Sequence, residues 1–236
     1  MSRALATLLT ALAASASLQG ALAARQSRTL ANADDAALAS VLADAPKKKE
    51  KGGAAPPEPE PPLISHPNVN PGVLAGAVVA RVRAGGAAQI TAIGPQASYL
   101  AARAVIYANE YMSEELKGKV LAILPSKHQT GRGDTTANLF EVRAVPNVKV
   151  PKNPDATVVS LTPVRQLALY LSRSFEENKQ KVTMSGLQPK SINVALKAAG
   201  RAEAKLAVIP SMSQFEDKEK GKTITRMMLT CVRAPN

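Results

Sequence analysis

The sequence predicts an α+β fold: two tandem β-α-β-α-β-β domains, each a mixed sheet with two helices, after a disordered N-terminal region. Two observations carry this. The stretch LAILPS at Leu121–Ser126 returns as LAVIPS at Leu206–Ser211. Ahead of it, Pro71, Gly94 and Gln96 recur as Pro163, Gly186 and Gln188 at one constant offset of 92. Behind it, Val142-Arg143-Ala144 recurs as Val232-Arg233-Ala234. Proline and glycine occupy special backbone positions, so constant spacing across them is hard to obtain by chance. The offset falls to 85 between Pro125 and Pro210, so the second copy has the shorter connection before its third strand. Such a difference belongs in a loop. The boundaries that follow are 63–150 for the first domain and 151–236 for the second.

The second copy has the cleaner pattern. Thr157–Leu161 is a β-rich run, and Thr162-Pro163 is expected to start a helix with Thr as N-cap and Pro in the first turn. Val164, Leu167, Ala168, Leu171 and Phe175 then share one helical face. Lys181–Ser185 reads as a short strand and Gly186 as a tight turn, and Pro189 opens a helix through about Glu203. Lys205–Pro210 is nearly continuous in apolar residues, as a central strand should be. The charged segment Glu216–Lys222 turns the chain back into Thr223–Arg233.

In the first copy a helix begins at Pro71 and stops at Gly85-Gly86. Gln89–Ile93 is the next strand and Gly94-Pro95 repeats the turn. The second helix, about Gln96–Met112, keeps Leu100, Ala101, Ala104, Val105 and Ala108 on its core side. Lys119–Pro125 is the central strand, and the loop Ser126–Asp134 leads into Thr135–Val145.

Ahead of both copies, Arg3, an Ala/Leu-rich run and Ala21-Leu22-Ala23 read as a signal peptide over 1–23. The run is too weakly apolar for a membrane anchor, so no span is expected in the mature chain. Residues 24–62 read as a disordered linker with the run Lys47-Lys48-Lys49-Glu50-Lys51 and a Pro/Glu-rich end. The address is the secretory pathway, or a plastid reached by that route.

The net charge is +12, and most of it lies beyond residue 62: +4 over 63–150 and +7 over 151–236. A basic folded surface favours polyanions. The single Cys231 can form neither an intramolecular disulfide nor a thiolate metal site, and His66 and His128 have no ligand-spaced neighbours. No Ser/His/Asp or Cys/His set, no acidic pair beside a basic or apolar pocket signature, and no phosphate-cradling glycine loop of Walker or dinucleotide type is apparent, so no enzyme activity, metal or cofactor is expected. With no Trp, three Phe and four Tyr, stacking platforms for reading bases are scarce.

The first copy, with Leu74-Ala75-Gly76-Ala77, Gly85-Gly86 and Ala92-Ile93-Gly94, resembles the bacterial stage V sporulation protein S. The second, with Pro163 before one helix and Gly186–Ile192 before the next, is similar to Alba chromatin proteins. The resemblance implies the shared β-α-β-α-β-β fold. It also implies binding of DNA or RNA by a dimer through the turns into the helices and the β-hairpin. The Alba lysines before helix one are replaced by Leu161-Thr162 and Val69-Asn70, and the basic residue after the β2 glycine by Leu187 and Pro95.

A replacement basic stripe is expected from Lys190, Lys197 and Arg201, which fall within about 20° of one another on a helix turning 100° per residue. Asn193 lies nearby. Lys218, Lys220 and Lys222 add charge on the second hairpin, offset by Glu216, Asp217 and Glu219. Lys127 and Arg132 make a flexible basic loop on the first. Arg132-Gly133-Asp134 spells an adhesion tripeptide, but a glycine-rich hairpin tip explains it better. The expected partner is nucleic acid, held through its backbone largely without regard to sequence. The two copies could form an internal pseudo-dimer, or the chain a homo-oligomer. The alternative is a structural subunit whose Alba-like domains contact other proteins in an organellar complex.

Overall fold

Strand and helix order follows from where apolar periodicity changes between two and about 3.6 residues. A computed structural model of the protein describes residues 60–129, 136–217 and 221–235, without the side chains of 127–129, 136 and 217. The segments read as a signal peptide and most of the expected linker, residues 1–59, lie outside the described residues. So do Arg132-Gly133-Asp134, Lys218 and Lys220. All described residues belong to one compact unit, Glu58–Asn236.

The first half runs β1 (Leu63–Ser65), α1 (Pro71–Gly85), β2 (Ala87–Ala92), α2 (Gly94–Tyr111), β3 (Lys119–Gln129) and β4 (Thr136–Pro146). The second runs β5 (Ala156–Thr157), α3 (Val164–Glu176), β6 (Lys181–Gly186), α4 (Pro189–Ala199), β7 (Leu206–Asp217) and β8 (Lys222–Arg233). The result is one eight-stranded mixed sheet with four helices. Strand order is β1-β2-β4-β3-β7-β8-β6-β5, which places β3 and β7 side by side at the middle.

Local chemistry sets the helix ends. Asn70 caps α1 by accepting from the Gly72 N–H at 2.8 Å, with Pro71 in the first turn. Gly86 closes it at φ 76°, and its N–H bonds the Val82 carbonyl. At α3 the structure revises the expectation by one residue: Pro163 is the N-cap. The Thr162 hydroxyl is engaged elsewhere, accepting from the Val159 N–H at 3.0 Å. Helix α4 stops at Ala199, four residues before the expected Glu203. Gly200 there passes the first half so closely that a Cβ would sit 3.1 Å from the Pro125 carbonyl oxygen.

Both hairpins are longer than expected, because pairing continues through the prolines. Pro125 lies opposite Phe140 and Pro210 opposite Leu229, and the ladders run on to Gln129↔Thr136 and Asp217↔Lys222.

One apolar core lies between the helices and one sheet face. Leu74 and Val78 come from α1, Ala101 and Val105 from α2, Leu171 and Phe175 from α3, and Ile192 and Leu196 from α4. Each fully buried Leu, Ile, Val or Phe contributes roughly 1.5–3 kcal/mol by leaving water. Period-two alternation sends Leu121, Ile123, Leu206 and Val208 into that core, and Ala122, Leu124, Ala207 and Ile209 to the opposite face. The connection after β4 packs Val148 on this second cluster. The Lys149 carbonyl accepts from Lys181 Nζ at 2.7 Å, and the Lys152 carbonyl from Arg226 Nη2 at 3.1 Å.

Candidate nucleic-acid interface

Helix α4 separates the expected basic residues. Lys190 is exposed in its first turn, whereas Lys197 is half-buried near its end. Arg201 is exposed and lies beyond the helix, in the turn that bonds Arg201 N–H to the Ala198 carbonyl at 3.1 Å. An 11-residue helix spans about 16 Å at 1.5 Å per residue. The stripe is therefore two stations rather than one patch.

At the second station, Lys197 and Arg201 face the first half. Together with Gly200 they line a narrow cleft against Pro125, Ser126 and Asn138 of the β3–β4 hairpin. Lys127 follows Ser126 along that strand. A larger cleft of about 400 Å³ adjoins it, bounded by Leu124, Pro125 and Glu141 on one side and Gly200, Glu203 and Lys205 on the other. Arg201 also borders a groove of about 370 Å³ shared with Arg165, Leu169 and Ser172 of α3. Arg165 was not singled out by sequence reasoning. Only the packing of α3 on α4, with the Glu203 N–H bonded to Ser172 Oγ at 3.0 Å, brings it beside Arg201.

Asn193 is not on this surface, which corrects the expectation that it accompanies the stripe. It is buried, and its Oδ1 accepts from Ser98 Oγ at 3.1 Å and from Asn138 Nδ2 at 3.0 Å. Its turn of α4 faces α2, which a helical wheel of α4 alone does not reveal. Lys222 is exposed at the start of β8.

Electrostatic pairing differs between the halves. The described ion pairs are Arg81 with Glu60 at 3.3 Å, Arg83 with Glu115, and Arg143 with Glu141 at 3.7 Å. The hydrogen-bonded Arg83 holds the Glu115 carboxyl below its ordinary value. All three pairs precede residue 150. Among the described residues, Arg165, Lys190, Lys197 and Arg201 have no carboxylate partner within 4 Å. Cys231 is buried and its thiol is pushed up to about 12, so it offers no thiolate. No described helix is long and apolar enough to cross a membrane.

Comparison with known families agrees with this architecture over the first half. The sequence profile of the family described as Stage V sporulation protein S (SpoVS) matches residues 64–145, about a third of the chain. That span runs from β1 to the end of β4 and is similar to a domain of that type. No curated protein matches the chain.

Proposed function

We propose that this is a non-enzymatic nucleic-acid-binding protein in which two Alba-like domains act as an internal pseudo-dimer. It holds the phosphate backbone with little regard to sequence. The observation that carries this reading is the pair Lys197 and Arg201, without an ion-pair partner among the described residues, at the cleft against the β3–β4 hairpin. Lys190 extends the track toward the start of α4, where free backbone N–H groups also favour anions.

The pseudo-dimer rests on the seam. Ile123 is paired with Val208, and these are equivalent positions of the repeated LAILPS and LAVIPS stretches. Antiparallel pairing of an element with its own copy is what a two-fold relation requires. It also sends the two hairpins outward in opposite directions.

The test is competition between unrelated DNA and RNA sequences for the full chain. Changing Lys197 and Arg201 to Ala should weaken binding by a similar factor for each sequence, because phosphate contacts carry no base information. A loss confined to one sequence would contradict the reading. The second reading, a structural subunit, is favoured by Leu161. It is 89% exposed, at the position where Alba proteins place lysine.

A further inference from the structure

The three most exposed large apolar side chains of the second half, Val159, Leu161 and Leu187, all follow the ends of β5 and β6. Strand β5 pairs with β6 in parallel, Ala156 with Met184 and Thr157 with Ser185, and the Val158 N–H continues the ladder to the Ser185 carbonyl at 2.8 Å. Val159 and Leu187 each follow the last pair of that ladder by two residues, at the end of the sheet where both strands stop. Both are 55% exposed. Leu161 is displayed just beyond, at 89%, on a turn closed twice. The Thr162 N–H bonds the Val159 carbonyl at 3.1 Å, and the Val159 N–H bonds Thr162 Oγ1 at 3.0 Å. A leucine held in water by a closed turn gains nothing for folding.

Basic residues follow these side chains closely in the chain, although Glu203 shares a groove with Arg165. Arg165 is exposed in the first turn of α3 and Lys190 in the first turn of α4, and neither turn contains an acidic residue. Neither cation has a carboxylate partner among the described residues. Aliphatic side chains with basic neighbours complement a segment that alternates apolar and acidic residues.

We propose that Val159, Leu161 and Leu187 form a docking site for an acidic, leucine-type segment of another protein. The three aliphatic side chains flank the starts of α3 and α4, away from Lys197, so the site goes beyond the nucleic-acid reading even though it borders Lys190 of the phosphate track. A nucleic-acid backbone has no use for exposed leucines. A second copy of this chain is disfavoured by its own charge of +12. A lipid surface fits less well too. Even a whole acyl chain binds membranes only marginally without a second signal, and these three side chains hold fewer carbons than one.

The experiment pans a displayed library of short random peptides against the full chain at near-physiological salt. The double variant Leu161→Ser/Leu187→Ser leaves net charge unchanged, and its sites are exposed enough to keep the fold. Ile64→Ser is the control, since Ile64 is 70% exposed on β1, at the other edge of the sheet. Retained peptides should combine Asp or Glu with Leu, Ile, Val or Phe. They should bind the double variant at least about tenfold more weakly, as loss of buried leucine contacts implies, and the control unchanged. The proposal is overturned if no peptide distinguishes wild type from the double variant, or if retained peptides lack acidic residues. It is equally overturned if the double variant loses nucleic-acid binding, or if it loses binding to phosphatidylserine vesicles that wild type holds.

Discussion

Asn193 of α4 and Asn138 of β4 meet at 3.0 Å in the buried seam between the two halves, with Ser98 Oγ bonded to both carboxamides at 2.9–3.1 Å. All three residues are at least nine-tenths buried. The two bonds to Asn193 Oδ1 cross from the first half to the second. Leaving one buried carboxamide without its partner costs about 1–3 kcal/mol.

Asn193→Ala and Asn138→Ala should therefore each destabilise the chain by about 1–3 kcal/mol. Urea unfolding should show a lower midpoint at unchanged slope. The double variant should cost less than the two single losses together, since residues in one hydrogen-bond network couple by about 0.5–3 kcal/mol. Strict additivity would mean that the bond is not formed.

Gly200 provides a second probe of the seam. Replacing it with Ala would gain about 0.4–1 kcal/mol by stiffening the unfolded chain. The new Cβ, however, meets the Pro125 carbonyl oxygen at 3.1 Å, and that oxygen belongs to a strand in the middle of the sheet. Overpacking typically costs about 1–3 kcal/mol, so Gly200→Ala should destabilise and Gly200→Val more so. Thermal melts of both variants check this, and a stabilised Gly200→Ala would show that the halves sit further apart.

Much of this fold is legible in the sequence, because recurring motifs and apolar periodicity are local signals. The β-α-β-α-β-β order, the Pro71 start and the Gly85-Gly86 stop could all be read directly, whereas the Asn70 cap could not. The hairpin lengths could not. Pro125 looks like a strand terminator, but it lies two residues past Ile123, the position paired with β7, so its missing N–H costs no ladder bond there. Asn193 was misplaced for a related reason. Polarity suggests an exposed position, and only the partner helix α2 makes that face interior. Arg165 beside Arg201 is likewise a product of packing between helices.

Cys231 gives a prediction about pH. Burial pushes its thiol from an ordinary value near 9.0 up to about 12. The folded state therefore keeps the proton that the unfolded state has lost between those values. This contribution to stability is complete below about pH 9 and is lost as pH rises toward about 12. At neutral pH a thiol reagent should label Cys231 only as fast as the protein opens, and denaturant should speed labelling. Rapid labelling of the native chain would place the side chain outside the core.

The expected signal peptide makes its own prediction. Protein purified from its native compartment should begin near Ala24, after the Ala21-Leu22-Ala23 site. Terminal sequencing that finds Met1 in the bulk of the protein would contradict export by that signal.

The phosphate track is tested most directly by the salt dependence of binding. Wild type and the variant with Lys190, Lys197 and Arg201 all changed to Ala are titrated with duplex DNA at several salt concentrations. A third chain, with the lysines of Lys47–Lys51 neutralised, controls for a basic tether that binds without any fold. Losing three contacts should reduce the magnitude of the log K against log salt slope by roughly 2–3, equally for unrelated sequences. An unchanged slope, affinity carried wholly by the tether, or no wild-type binding at about 50–150 mM salt would contradict the account.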